Sequence, residues 1–566
     1  MGIDDEQLYK LLAELDYLSV DDLNKARDLA KTEAKSLYDV LLDRDLVSDE
    51  NLGKLIAYSL KLPFVTLSQS TIPEDVLKIT PEQVASKFKV ITFGIDDKGL
   101  KIATSNHLQP DLFPMLAKKA GQKSYRVFFA TERDIESALR LYKKDLTRVF
   151  EGLLPKGAAL SEVPVAKIVD TIIEYANFNK ASDVHIEPTR GYSQIRFRID
   201  GILHDVVRLP KMLHDQLVTR IKVMARLRTD EHLSAQDGRM RVLIQGKTDE
   251  DVDVRVSIVP ITSGEKVVLR LLSSHNRQFG LADLGMSESN LKKIQNGFLR
   301  PYGMVLSTGP TGSGKTTTMY AILKILNTRD KNIATIEDPV EYEIAGLNQI
   351  QVNAKTGLTF ANGLRSILRQ DPDVMFVGEI RDEDTASIAI NSAMTGHLVL
   401  STLHTNDAVT ALPRLIDMKV EPFLVASTVN VIVGQRLVRK ICNTCKVSQE
   451  IVRTPTGLKG DTKLAAQIVT LNPRLVNKYF GTGNIRVYRG KGCQVCNNTG
   501  FIGRVGIFEV LVVTPKIQEL ISKKSNSEVI FQQAVAEGME TMMEDGLSKV
   551  QSGLTTIEEV LRVTRD

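Results

Sequence analysis

Tryptophan is absent from the 566 residues, aromatic side chains make up only 5%, and cysteine occurs four times. A charge excess is missing as well, since 73 basic side chains face 69 acidic ones for a formal net charge of +4. A dedicated nucleic-acid binder ordinarily shows a basic excess or stripe, so the near balance argues against that class. No stretch approaches the roughly 18 continuous apolar residues that read as a membrane span. The opening MGIDDEQLYK is acidic and polar, which fits neither a secretory signal nor a transit peptide. After Gly2, the run Ile3-Asp4-Asp5-Glu6 offers no hydroxyl at the myristoylation position. The four cysteines fall in two CxxC pairs, which a reducing compartment and a metal site explain better than disulfides. What remains is the composition of a soluble globular chain, 43% hydrophobic and 25% charged.

At about 100–200 residues per domain, this length implies three or four. Residues 1–62 read as a helical module with a weak tandem repeat offset by 29 residues: Leu12–Ser19 before Asp22-Leu23, and Leu41–Ser48 before Asn51-Leu52. Ser19 and Ser48 precede acidic residues and an apolar run, the signal of a helix N-cap, so each unit predicts helix, turn and capped helix. Residues 63–150 read as a small α/β module with strands at Phe88–Phe93 and Leu100–Thr104 around an Asp-Asp-Lys-Gly turn. Residues 151–164 have linker composition, and helical periodicity resumes at Val165–Tyr175. In the domain that follows, 165–285, Gln194–Ile199, Asp251–Val256 and Lys266–Leu272 alternate as half-exposed strands. Arg196 and Arg198 share a face of the first, and Arg255 and Arg270 sit on the other two. For any one of them a solvated strand face is the plain explanation.

Residues 286–566 carry the chemistry. The short apolar strand Met304–Thr308 runs into Gly309-Pro310-Thr311-Gly312-Ser313-Gly314-Lys315-Thr316, followed by the helical run Thr317–Leu326. This is the phosphate-binding pattern GxxxxGK[ST] in its strand–loop–helix setting. Glycines let the backbone curl so that successive N–H groups converge on a phosphate. The helix that follows offers its N-terminal partial charge to the same anion. In such a site Lys315 reaches the β- and γ-phosphates and the Thr316 hydroxyl ligates Mg²⁺. ATP and Mg²⁺ are therefore expected.

Three further apolar runs end in ionisable residues: Ile333–Ile336 in Glu337-Asp338, Asp373–Gly378 in Glu379-Ile380-Arg381-Asp382, and Leu398–Leu403 in His404. In an open parallel sheet the carboxyl ends of strands gather on the ligand side. Glu379 is best placed to polarise the attacking water or hold Mg²⁺ through water, and Glu337 is a second acid for either task. Gly378 stands where many P-loop ATPases carry the aspartate that ligates the metal directly.

Together, GPTGSGKTTT (309–318), TIEDPVEY (335–342), LRQDPDVMFVGEIRD (368–382) and TGHLVLSTLHTNDA (395–408) resemble the bacterial type II secretion and type IV pilus assembly ATPases, within the secretion-ATPase superfamily. ASDVHIEP (181–188), FRIDG (197–201), QDGR (236–239) and DVRVS (253–257) extend the resemblance, strong over 165–566 and loose over the first 150 residues. It implies a PAS-like α+β domain at 165–285 and a RecA-like domain at 286–566, assembled as a cytoplasmic homohexamer whose smaller domain closes over the nucleotide. It also implies that Arg255 and Arg270 meet ATP phosphates. Arg365 and Arg369, spaced for one helix face, match a further pair at that site, alongside the P-loop residues through Thr317. His404 and His397 match the family's histidine box, where a histidine senses the γ-phosphate. Glu231-His232-Leu233-Ser234-Ala235 departs from the family, whose members commonly carry basic residues and proline before QDGR.

Cys442-x-x-Cys445 and Cys493-x-x-Cys496, 47 residues apart, supply four thiolates for a tetrahedral structural Zn²⁺, with a redox pair or free thiols as alternatives. The separation implies that the intervening segment, within 440–506, forms a subdomain of its own. Assembly ATPases of the family commonly carry this element and retraction ATPases lack it. The N-terminal region resembles modules that dock an inner-membrane platform protein and its bitopic partner, placing the motor peripherally on that membrane. Ser36–Leu46 lacks the glycines and arginine of the motif with which some relatives bind cyclic di-GMP, so protein docking is the better expectation. The rivals are a DNA-uptake or conjugation motor, which predicts basic, aromatic-bearing segments, and a nucleotide-gated scaffold with little turnover.

Overall fold

The structure, a computed structural model, describes residues 4–14, 18, 20–33, 36–43, 46–47, 49–67, 70, 72–106, 111–139, 142, 164–244, 250–272, 280–454, 457–459, 461–493, 496 and 498–564. Two compact units divide the chain: Met1–Asp4 with Asp49–Gln278, and Asp5–Ser48 with Phe279–Asp566. Ser19, Ser48 and residues 151–163 of the expected linker lie outside the described residues. Helices at Asp5–Glu14, Val20–Glu33 and Leu37–Asp43 bury Leu8, Leu12, Leu23 and Leu41, and the Tyr9 hydroxyl donates to Asn24 Oδ1 at 2.7 Å.

In the Asp49–Gln278 unit, β1 (Val90–Asp96), β2 (Gly99–Thr104) and β3 (Tyr125–Phe129) form a sheet in that order, the first pair antiparallel and the second parallel. Both faces are covered: Ile91, Phe93 and Ala103 pack into one cluster, Val90, Leu100 and Ile102 into another. The expected strand over Phe88–Phe93 starts later, because Phe88 ends a helix and Lys89 takes a left-handed φ of 51° that closes it.

Further along, β4 (Asp183–Pro188), β5 (Tyr192–Ile199), β6 (Ile202–Pro210), β7 (Gln236–Ile244), β8 (Glu250–Ile261) and β9 (Gly264–Leu272) make an antiparallel sheet of order β6-β5-β4-β9-β8-β7. Its apolar face packs against the helices Val165–Phe178 and His214–Met224 through Ile172, Val184, Phe197, Leu217, Val254 and Leu269. Strand alternation turns the arginines to the opposite face.

The second unit is built on β10 (Gly303–Thr308), β11 (Ile333–Glu337), β12 (Asn348–Gln351), β13 (Val374–Val377), β14 (Leu398–Leu403) and β15 (Val429–Ile441). An inserted segment then contributes β16 (Lys446–Thr454), β17 (Gly457–Lys459) and β18 (Ile485–Gly490) before the chain returns as β19 (Phe501–Val512). The main sheet has the order β12-β11-β13-β14-β10-β15-β19, parallel except for β19. Its strands are apolar on both faces because helices cover both. Met304, Leu306, Met375 and Val399 enter one cluster; Val305, Phe376, Leu400 and Met319 of the helix Lys315–Leu326 enter the other.

The inserted segment has its own sheet, β17-β16-β18, and two helices, Thr462–Val469 and Pro473–Phe480. Its core is not its own. Ile451, Leu464, Ile468, Val476 and Ile485 pack with Leu547, Val550, Ile557 and Val560 of the two C-terminal helices, Met542–Gln551 and Ile557–Thr564. The expected self-contained subdomain is corrected to one completed by the chain's end, since so short an insertion buries too little apolar surface alone.

Candidate functional site

The phosphate loop leaves the buried end of β10 and enters the helix Lys315–Leu326 through Gly314, whose φ is 92°. Gly309 (φ 144°) has no room for a side chain, because a Cβ there would lie 2.5 Å from the Gln435 carbonyl oxygen. The Lys315 ammonium is nearly buried and donates to the carbonyls of Gly309 (2.7 Å) and Pro310 (3.1 Å). Burial lowers its pKa to about 8, a shift the nearby Glu379 carboxylate opposes. The Ser313 hydroxyl is buried with no hydrogen-bond partner. An anion seated in the loop would answer both features, supplying the ammonium with a counter-charge and the hydroxyl with an acceptor. Thr316 and Thr317, half-buried, open the helix beside them.

Glu379, two residues past β13, accepts from Arg381 Nη2 at 2.7 Å and lies 3.0 Å from His404 Nε2, just past β14. Glu337, the last residue of β11, is more enclosed. The hydroxyls of Tyr320 and Thr335 (2.6 Å) and the Gln349 amide (3.2 Å) donate to it, while burial pushes its carboxyl up. Gly378 has a packing reason, since a Cβ there would meet Glu337 Cα and the Ile336 carbonyl at 3.3 Å. His397 lies apart from this cluster. It precedes β14, its carbonyl accepts from Gly303 N at 3.1 Å, and its ring meets the Ser392 carbonyl at 3.1 Å, all at the strand end opposite His404.

Arg365 and Arg369 do not share a helix. The helix Phe360–Ile367 stops as the chain turns toward Asp371, which has a φ of 50°, so Arg369 lies beyond its end. Arg369 reaches back to the Arg365 carbonyl at 2.9 Å, and Arg365 Nη1 donates to Asn362 Oδ1 at 3.2 Å.

On the six-stranded sheet, pairing register aligns Arg198, Asp183, Arg270, Arg255 and Arg239 across β5, β4, β9, β8 and β7. Residues directly opposite across strands share a face at about 5 Å spacing. Arg255 and Arg270 are thus neighbours in a row of four arginines. Asp183 holds two of them, Arg270 at 3.0 Å and Arg198 at 3.5 Å. Arg239 and Arg198 joined the row only through register. The divergent loop before QDGR is anchored from below. Lys222, fully buried, donates to the Glu231 carbonyl (2.6 Å) and to Glu265 (2.7 Å), and His232 meets the same carboxylate at 2.8 Å.

Cys442, Cys445, Cys493 and Cys496 bring their sulfurs within 4.8 Å of one another. Cys442 follows β15, and its N–H donates to the Gly500 carbonyl at 2.9 Å, just before β19. The N–H groups of Cys493 and Gly500 point at Cys496 Sγ at 3.2 Å, an arrangement that favours thiolate. Four sulfurs so placed fit a tetrahedral Zn²⁺.

A family model described as type II/IV secretion system protein matches residues 158–562. The chain belongs to this family. An MshEN domain model matches residues 60–148. The chain is 35% identical to the type IV pilus assembly ATPase PilB of Myxococcus xanthus (strain DK1622) over 98% of each chain. It is 45% identical to the type II secretion system protein HxcR of Pseudomonas aeruginosa over 71% of this chain and 78% of that one. In fold it resembles the Legionella pneumophila ATPase DotB, with a TM-score of 0.51 at 19% identity, covering 70% of this chain and 95% of that one. The resemblance drawn from the sequence boxes is thereby confirmed at the level of family.

Proposed function

We propose that this secretion-family member is a cytoplasmic hexameric motor that hydrolyses ATP to drive type IV pilus assembly or type II protein secretion. The observation that carries the reading is the gathering of Lys315, Glu379, Arg381 and His404 around one end of the parallel sheet. In this reading the N–H groups of Gly309–Thr316 and the Lys315 ammonium hold the ATP phosphates. Thr316 holds Mg²⁺, which when bound draws charge from the phosphate oxygens. Glu379 takes up the proton of the attacking water, with His404 and Arg381 orienting its carboxylate. Glu337, enclosed by three donors, serves as a second acid that braces the site. Arg255 and Arg270, on a PAS-like sheet, meet phosphate of the nucleotide, as do Arg365 and Arg369. Zn²⁺ on the four cysteines is structural, because four protein thiolates leave no open coordination position.

No described helix is long and apolar enough to cross a membrane. In this reading domain rotation is transmitted to an inner-membrane platform protein, and the N-terminal modules dock that platform and its bitopic partner. The decisive experiment is turnover by purified Glu379→Gln. Loss of a general base lowers the rate by about 10²–10⁴, and a wild-type rate would end the assignment. A wild-type chain that binds ATP without turning it over would favour the scaffold reading instead. Cys445→Ser with Cys493→Ser is expected to empty the protein of zinc and lower its melting temperature, with ATP contacts left in place. Unchanged zinc content and melting would sink the metal assignment.

A further inference from the structure

We propose that Gln435 is a positioning residue of the nucleotide site, holding the Ser313–Gly314 peptide so that the loop presents an N–H to phosphate. The inference rests on the nucleotide-site reading above and names a residue outside every motif that led to it. Gln435 lies on β15, the neighbour of β10, where Gly434 pairs with Thr308, the residue before the loop. Its side chain is buried, and both ends of the amide are hydrogen-bonded. Nε2 donates to the Ser313 carbonyl at 2.8 Å, and Oε1 accepts from the hydroxyls of Thr318 (2.7 Å) and Ser307 (3.3 Å).

These partners settle which way the amide points. A carbonyl oxygen only accepts, so the side facing Ser313 must be the NH₂. A trans peptide is planar, with its C=O and N–H directed oppositely. Drawing the Ser313 carbonyl toward Gln435 therefore turns the Gly314 N–H away from β15. That N–H belongs to the peptide immediately before the helix, where the aligned dipoles of Lys315–Leu326 also favour an anion. The fit is close on both sides: a Cβ on Gly314 would lie 3.0 Å from Gln435 Nε2, and one on Gly309 would lie 2.5 Å from the Gln435 carbonyl oxygen. One amide thus ties together the end of β10, the loop and the first turn of the helix.

A merely structural role would be to satisfy buried groups, and it would appear as lost stability alone. Gln435→Glu separates the two, because it keeps the shape and the acceptor toward Thr318 but sets an oxygen against the Ser313 carbonyl. In the full-length protein, the KM for Mg·ATP and the calorimetric Kd for ATP are expected to rise tenfold or more. Gln435→Met, which loses both the donor to Ser313 and the acceptor for Thr318 and Ser307 without adding repulsion, is expected to raise both at least threefold. If the glutamate variant does not fold, the methionine variant decides by that threshold. Values within twofold of wild type, even with a lowered melting temperature, would reduce Gln435 to a core amide and overturn the proposal. Wild-type protein that binds no ATP would instead defeat the nucleotide-site reading, and this proposal with it.

Discussion

The phosphate loop and the arginine row are two ways of building a place for an anion, and they differ in where their information lies. The loop uses backbone N–H groups, a helix terminus and one lysine, all within Gly309–Thr316. Its charge is concentrated in a nearly buried ammonium that rests on its own loop carbonyls. The row uses guanidinium groups from strands scattered over Arg198 to Arg270, aligned only by pairing register. Arg270 is 63% exposed and already shares Asp183 with Arg198. In the proposed reading the buried, preorganised loop binds by itself, and the row, half-buried at Arg198 and Arg255 and exposed at Arg239 and Arg270, adds charge to a phosphate held elsewhere.

That contrast gives its largest test in paired substitutions. Lys315→Ala is expected to abolish measurable ATP binding and turnover together. Arg255→Ala and Arg270→Ala should each leave ATP binding detectable and cut turnover about tenfold to a hundredfold, the size of one charged hydrogen bond. Calorimetry beside a phosphate-release assay checks both, and arginine variants that lose binding as completely as the lysine variant would erase the distinction. A smaller effect is expected in pH. An unfolded lysine keeps its proton to about pH 10.4, whereas burial lowers Lys315 to about 8. Between those values the folded chain holds fewer protons, so this group's contribution to stability rises with pH. Phosphate would restore the proton, so ATP binding at pH 8.5 should take up a fraction of a proton and weaken as pH rises further. Binding enthalpies that do not change with the ionisation heat of the buffer would remove that lysine from the anion's contacts.

The loop was legible because strand, glycines, lysine and helix are contiguous, and their physics is local. The same holds for the runs that became β10, β11, β13 and β14, each apolar for its length. Other features depend on distant partners. His397 and His404 look equivalent in one motif, yet β14 carries them to opposite ends. Glu337 and Glu379 both end apolar strands, but only neighbours supplied by Tyr320, Thr335 and Gln349 enclose the first. Arg369 falls off its helix because spacing alone does not say where a helix stops. Gln435 was silent, since β15 adjoins β10 only through a crossover of more than a hundred residues. The cysteine spacing announced the cluster, whereas the shared core beneath it needed the last two helices in place.

β15 holds a final consequence. The strand runs without a break from Val429 to Ile441, with Gln435 against the phosphate loop and Cys442 immediately after its end. At about 3.3 Å per residue, those two positions are roughly 23 Å apart along one beam. Its pairing with β19 continues to Ile441 opposite Phe501, through a register shift between Arg439 and Ile441. To swing, the inserted segment must bend at that irregularity, unzip the hairpin that carries it, or turn the beam as a whole.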